Sequence, residues 1–157
     1  MSSQEKIHQT LIKNKQTLAL AESCSGGRLS TKFVEMPDAS VYLLGSLVTY
    51  SNFLKEKVLK VSADTLRTSG AVSREVAHEM WIGLMKLSGA DFGIATTGIA
   101  GPTGGTDEKP VGTVFIALGA KDKKPRVIEC LFKGDRKEII ESTCGKALEE
   151  FLLYLKN

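Results

Sequence analysis

Ile7, Leu11 and Ile12 recur at helical spacing through residues 3 to 15, which predicts an amphipathic opening helix. The apolar run Thr17 to Ala21 reads as a buried strand. It ends at Glu22-Ser-Cys-Ser-Gly-Gly27, after which Arg28 to Glu35 reads as helix. Beyond Pro37-Asp-Ala39, Val41 to Tyr50 is apolar enough for a central strand, with Gly45 and Ser46 marking a bulge or a close backbone approach. Ser51, Ser62 and Ser73 stand where N-caps belong and predict three successive helices. The second ends at Gly70, and the third carries the stripe Val76, Met80, Ile82 and Met85, read as core. Asp91 to Thr97 is the next strand. Val111 to Leu118 and Arg126 to Phe132 then alternate like a hairpin joined by the charged, turn-rich Gly119 to Pro125. A last helix runs from Asp135 to about Leu155, with Ile139, Ile140, Cys144, Leu148, Phe151 and Leu152 on one face. This order of elements predicts an α/β fold: a single three-layer α/β/α domain with a mixed sheet over residues 1–157.

Composition narrows the class without naming it. At 157 residues, with 42% hydrophobic and 25% charged, the chain can bury a full core with no need of metal or disulfides. Its cysteines, Cys24, Cys130 and Cys144, are odd in number and lack CxxC spacing. His8 and His78 are the only histidines, so there is no zinc set and no metal is expected. Free thiols suit a reduced compartment, the opening MSSQEKIHQT has no apolar signal core, and no run approaches the about 18 apolar residues of a membrane span. A cytoplasmic location follows as the expectation. Net charge is +3, the basic and acidic residues are interspersed, and only Lys121 to Lys124 approaches a cluster, so no nucleic-acid partner is expected. Neither histidine sits in a motif. A general base would therefore be a lysine or a carboxylate.

Chemistry concentrates in three places. Gly98, Gly101, Gly104, Gly105 and Gly112 are five of the chain's fifteen glycines, and the loop from Gly98 to Thr106 follows a strand directly, an arrangement suited to an anion nest. It is neither a P-loop nor a GxGxxG turn. The strand, small-residue turn and helix around Glu22 to Gly27 offer backbone N–H groups to a ligand, or serve as a plain connection. Ser40, Tyr50 and Lys55 form a third constellation that, in isolation, is equally a loop serine, a strand tyrosine and a solvated lysine.

The strings Leu18-Ala-Leu-Ala-Glu-Ser-Cys-Ser-Gly-Gly27, Gly45-Ser-Leu-Val-Thr-Tyr-Ser-Asn52, Gly70-Ala-Val-Ser73, Thr97-Gly-Ile-Ala-Gly-Pro-Thr-Gly-Gly105 and Glu108-Lys-Pro-Val-Gly-Thr113 resemble the CinA C-terminal domain family, in order, from about residue 5 to about residue 154. That family includes stand-alone nicotinamide mononucleotide deamidases. The resemblance implies hydrolysis of the mononucleotide's carboxamide to nicotinate mononucleotide and ammonia, in pyridine nucleotide salvage, without metal or other cofactor. It further implies a serine nucleophile with a lysine base, and a homo-oligomer. Carried onto this chain, the nucleophile falls on Ser40 of Pro37-Asp-Ala-Ser40, where Asp38-Ala39 departs from the commoner Gly-Ser. The tyrosine and lysine fall on Tyr50 and Lys55. Substrate contacts are expected from Thr97, Gly98, Gly101, Gly104 and Gly105. Arg136 reads as a phosphate or carboxamide clamp or as a solvated arginine, and Glu22, Ser23 and Ser25 as pocket-lining or structural.

A lysine of ordinary pKa, about 10.4, is a poor base near neutrality, so Lys55 would need desolvation or a neighbouring cation to act on a hydroxyl. Two other readings belong to different classes: a non-catalytic nucleotide-binding or competence-associated adaptor, and an amidase using Cys24. The combination Ser40, Tyr50 and Lys55 separates the first from the serine enzyme, because a binding module has no need of all three, and serine-directed against thiol-directed inactivation separates the second.

Overall fold

The computed structural model describes residues Met1 to Asn157. Helix α1 (Ser3–Asn14) opens on a capping box between Ser2 and Glu5 and closes on Lys15 in the left-handed conformation. Strand β1 (Leu18–Glu22) follows, buried along its whole length, then α2 (Arg28–Val34), a single 3-10 turn at Ala39–Val41, and β2 (Leu43–Val48). Three helices come next, α3 (Asn52–Leu59), α4 (Ala63–Ser69) and α5 (Arg74–Ser88). Their N-caps are the expected Ser51, Ser62 and Ser73, each hydroxyl accepting a backbone N–H of the first turn. The chain finishes with β3 (Phe92–Gly98), β4 (Thr113–Ala120), β5 (Arg126–Leu131) and α6 (Arg136–Lys156), the last opening on a capping box between Asp135 and Glu138.

The sheet runs β2-β1-β3-β4-β5, with β2, β1 and β3 parallel and β4 and β5 antiparallel, so the mixed sheet and the β4–β5 hairpin are both present. The expected central position of β2 is corrected: it is an edge strand. Its apolar residues do not all face the core, since Leu44 and Val48 are exposed, while β1 lies inside the sheet between β2 and β3 and is buried along its length. The irregularity foreseen near Gly45 is also present. Leu18 pairs with Leu43 and Ala19 with Gly45, so Leu44 is skipped in the register.

Side-chain alternation sorts the sheet's two faces by size. Leu18, Leu20, Ile94, Val114, Ile116 and Leu118 point to a core closed by α1, α2 and α6. Ala19, Ala21, Ala95 and Ala117 point the other way and form a low floor that α5 approaches closely. Trp81 of α5 lies on this floor and donates its indole N–H to the carbonyl of Gly93 at 3.0 Å. A Cβ at Gly93 would meet that same nitrogen at 3.0 Å and the Met85 sulfur at 2.5 Å. The α3–α5 packing is closer still, because a Cβ at Gly83 would fall 1.8 Å from the Leu59 carbonyl oxygen. No helix is long and apolar enough to cross a membrane.

This topology positions the site. The segment after β1 passes to one face of the sheet as α2, while the segment after β2 passes to the other as α3 to α5. The carboxyl ends of the neighbouring strands β1 and β3 are thus left uncovered between diverging connections, the crevice where open α/β sheets receive ligands.

Candidate active site

Glu22 ends β1 and is fully buried, and its carboxylate organises the turn that follows. One oxygen accepts the Ser25 hydroxyl at 2.8 Å and the N–H groups of Gly27 at 3.2 Å and Leu29 at 2.9 Å. The other accepts the N–H of Ser30 at 3.0 Å and the Ser46 hydroxyl of β2 at 2.8 Å. Helix α2 begins at Gly27, which has no side chain to cap it, so Glu22 satisfies the orphan N–H groups from outside. The Ser25 hydroxyl also meets the Thr96 hydroxyl at 2.8 Å, tying the turn to β3. With these groups engaged, the N–H groups of Cys24 and Ser25 donate to no other residue, the Cys24 N–H facing its own thiol.

Lys55 enters from α3, only 1% exposed. Its Nζ donates to the Ser23 hydroxyl at 2.9 Å and to the carbonyls of Thr49 at 3.0 Å and Tyr50 at 3.1 Å. No carboxylate pairs with it, and burial lowers its pKa from the ordinary lysine value, opposed by the neighbouring Cys24. The two carbonyls fix two N–H directions, so the third tetrahedral direction points at Ser23 Oγ. In the neutral amine that direction holds the lone pair. The Cys24 thiol beside it is pushed up to about 12, chiefly by burial, and stays protonated near neutrality.

These groups open on a cavity of about 260 Å³ lined by Ser23, Cys24, Tyr50, Asn52, Lys55 and Arg136, with Ala71, Val72 and the segment Thr97 to Gly101 completing the wall. Of the residues expected here, Tyr50, Lys55, Thr97, Gly98, Gly101, Gly104, Arg136 and Ser23 line it; Gly105 and Ser25 do not. The Thr97 hydroxyl donates to the Ala71 carbonyl at 2.8 Å and so holds the wall together. Ser40 is not brought to Lys55. It is exposed in the 3-10 turn that precedes β2, whereas Lys55 follows the far end of that strand, about 20 Å of extended chain away. The Tyr50 hydroxyl does not bridge serine and lysine either. It accepts from Arg136 Nη2 at 2.9 Å while Nη1 donates to the Gly101 carbonyl at 2.7 Å, so the guanidinium straddles the cavity mouth.

Two residues acquire roles their sequence context understated. Ser23 was readable as a serine at a strand–turn–helix junction, the position that exposes nucleophiles at the top of α/β sheets. Glu22 was readable as the acid ahead of a helix that has no cap of its own. No group of three or more His, Cys, Asp and Glu side chains converges anywhere in the molecule.

A three-layer α/β domain with a buried lysine on a serine hydroxyl at its topological switch point is the class that fold and site define. The CinA C-terminal domain family model matches residues 1–155, and the chain belongs to that family. It is 45% identical over 148 residues to a CinA-like protein of Leptospira biflexa and 46% over 156 residues to one of Thermotoga maritima, covering 94% and 97% of this chain. It spans only 35% and 38% of those relatives' lengths. Solved structures match along nearly their whole length. A competence damage-inducible protein A of Klebsiella pneumoniae superimposes with a TM-score of 0.94 at 32% identity, covering 100% of this chain and 99% of that one. A competence/damage inducible protein of Agrobacterium tumefaciens gives 0.91 at 36%, covering 100% and 98%.

Proposed function

We propose that the chain is a nicotinamide mononucleotide amidohydrolase working through Ser23 and Lys55. The single observation that carries this reading is the buried, carboxylate-free Lys55 whose Nζ lies 2.9 Å from Ser23 Oγ. A binding module gains nothing from burying an unpaired lysine against a hydroxyl, whereas a serine–lysine amidase requires it. Family membership and the resemblance of the glycine loop support this choice of substrate class.

Neutral Lys55 takes the Ser23 proton as Oγ attacks the carboxamide carbon. The tetrahedral oxyanion is received by the N–H of Cys24, next to the nucleophile and donating to no other residue, a donor worth about 3 kcal/mol in such sites. Lys55 then returns the proton to the departing nitrogen and ammonia leaves, with the acyl group on Ser23. Water, deprotonated by Lys55, cleaves this ester; nicotinate mononucleotide departs and the proton returns to Ser23. The nucleophile thus moves from Ser40 to Ser23. Cys24 is disfavoured because its thiol stays protonated.

Ammonia release from nicotinamide mononucleotide by the wild-type chain and by Ser23→Ala, Ser40→Ala and Lys55→Ala tests this directly. Ser23→Ala and Lys55→Ala are expected to lower kcat by about 10³-fold or more, and Ser40→Ala to retain activity. Full activity in Ser23→Ala would sink the mechanism, and no release by wild type would favour the adaptor.

A further inference from the structure

Two of the sequence strings, Gly70-Ala-Val-Ser73 and Glu108-Lys-Pro-Val-Gly-Thr113, have no part in the proposed mechanism, and the fold joins them. The connection from α4 to α5 presents three successive carbonyls, each accepting from a different element. Ser69 accepts from Lys109 Nζ at 2.7 Å, Gly70 from the Ser73 hydroxyl at 2.8 Å and Ala71 from the Thr97 hydroxyl at 2.8 Å. Ser73 caps α5 and Thr97 belongs to β3, so regular structure fixes two of these donors. Lys109 alone comes from the glycine-rich loop between β3 and β4.

That loop has few tethers of its own. The backbone N–H groups of Ala100, Gly101, Thr103, Gly104 and Gly105 donate to no residue. Its outgoing limb rests on the returning one: a Cβ at Gly101 would fall 2.4 Å from Val111 Cγ1, and one at Gly105 would fall 2.6 Å from the Val111 nitrogen. The returning limb is a closed turn, in which the Thr106 N–H donates to the Lys109 carbonyl at 2.8 Å and the Lys109 N–H to the Thr106 hydroxyl at 3.0 Å. From this turn the Lys109 side chain crosses to the last residue of α4 and takes a carbonyl that the helix end leaves orphaned. A bond of this kind, from a charged donor, is stronger than one between neutral groups.

Both segments joined in this way are walls of the 260 Å³ cavity. Ala71 and Val72 line it from the α4–α5 connection, and Ile99, Gly101, Thr103 and Gly104 line it from the loop. Lys109 itself does not line it. Resting on the amidohydrolase reading, we propose that Lys109 is a positioning residue whose bond to Ser69 holds the glycine-rich wall and the α4–α5 wall at the spacing that grips the substrate. It touches neither the substrate nor the reacting atoms. Walls that hold the substrate equally before and in the transition state supply uniform binding, so their loss is read in KM and not in kcat.

The test measures ammonia release from nicotinamide mononucleotide by wild type, by Lys109→Met, which keeps the length of the side chain without its donor, and by Lys109→Arg, which restores a donor. Lys109→Met is expected to raise KM about tenfold or more, the scale of one charge-assisted hydrogen bond, with kcat within about threefold and the midpoint of its pH profile unmoved. Lys109→Arg is expected to recover most of the wild-type KM. An unchanged KM in Lys109→Met, a loss confined to kcat, or no recovery in Lys109→Arg overturns the proposal while leaving the amidohydrolase reading intact. Should Lys109→Met not fold, Lys109→Gln, polar but shorter, takes its place, and failure of both to fold makes the clasp a requirement of the fold and overturns the positioning role. If wild type releases no ammonia, the amidohydrolase reading fails, and hydrogen exchange decides the clasp by itself. The amides of Thr106, Lys109 and Gly112, each hydrogen-bonded within the loop, are expected to exchange about tenfold faster or more in Lys109→Met, with those of β1 unchanged. Equal exchange in the two proteins overturns it.

Discussion

Lys55 carries a proton at a cost that the sequence position conceals. Buried with no acidic partner, it binds its proton less tightly in the folded chain than in the unfolded one. In the pH window between its lowered pKa and the ordinary lysine value the unfolded chain holds more protons, so this residue's contribution to stability rises with pH across that window. In the proposed mechanism, activity follows the same group. kcat/KM is expected to climb with pH along a one-proton limb whose midpoint lies below the usual lysine pKa, measured by ammonia release from pH 6 upward, and Lys55→Arg should not rescue it because a guanidinium keeps its proton. Because serine and base act as a unit, the double variant Ser23→Ala/Lys55→Ala should be scarcely slower than either single variant. Iodoacetamide should inactivate slowly at pH 7, since burial raises all three thiols, two of them to about 12. Lys55 and the glycine loop were legible in the sequence, and the serine that Lys55 meets was not. Ser40, Tyr50 and Lys55 are close in sequence, but the intervening strand β2 carries Ser40 to its amino end and Lys55 to its carboxyl end. The serine that does meet the lysine stands just past the end of the neighbouring parallel strand β1, and pairing of β1 with β2 brings it there.

Elements were read more securely than residues because their boundaries are set locally. Ser51, Ser62, Ser73 and Asp135 each cap the helix they precede, and such caps need only nearest neighbours to act. The rank of β2 in the sheet depends on which elements cover it, and an apolar run cannot report that. Contacts between elements carry two further expectations. Gly83→Ala would gain helix propensity on an isolated helix, yet here its Cβ strikes the Leu59 backbone. Helices α3 and α5 must separate, so thermal denaturation should show a loss of about 1–3 kcal/mol, and kcat should fall because α3 carries Lys55. Glu22→Gln keeps the shape but turns an amide N–H₂ toward groups that are themselves donors. A loss of roughly 2–4 kcal/mol, read as a drop of about 5–15 °C in Tm, is expected.

Across the whole molecule, the two cores on either side of the sheet do different work. The α3–α5 side holds Lys55 and the single tryptophan, Trp81; the α1, α2 and α6 side holds the turn after Ser23 and supplies Arg136. The three-layer architecture was legible because the order of elements and the size alternation along β1, β3 and β4 are both written in sequence. The crevice beneath Tyr50 and Arg136 was not, since it arises only when both faces are closed.

Arg136 stands near one end of the chain and Ser23 near the other, yet both line a single cavity wall. A nascent chain halted short of α6 would already contain its serine and lysine without a site able to hold a ligand. Contacts so distant in sequence are slow to form, so in refolding, recovery of activity should coincide with or trail the Trp81 fluorescence change and never precede it. In the proposed mechanism, catalytic competence therefore waits on the docking of α6.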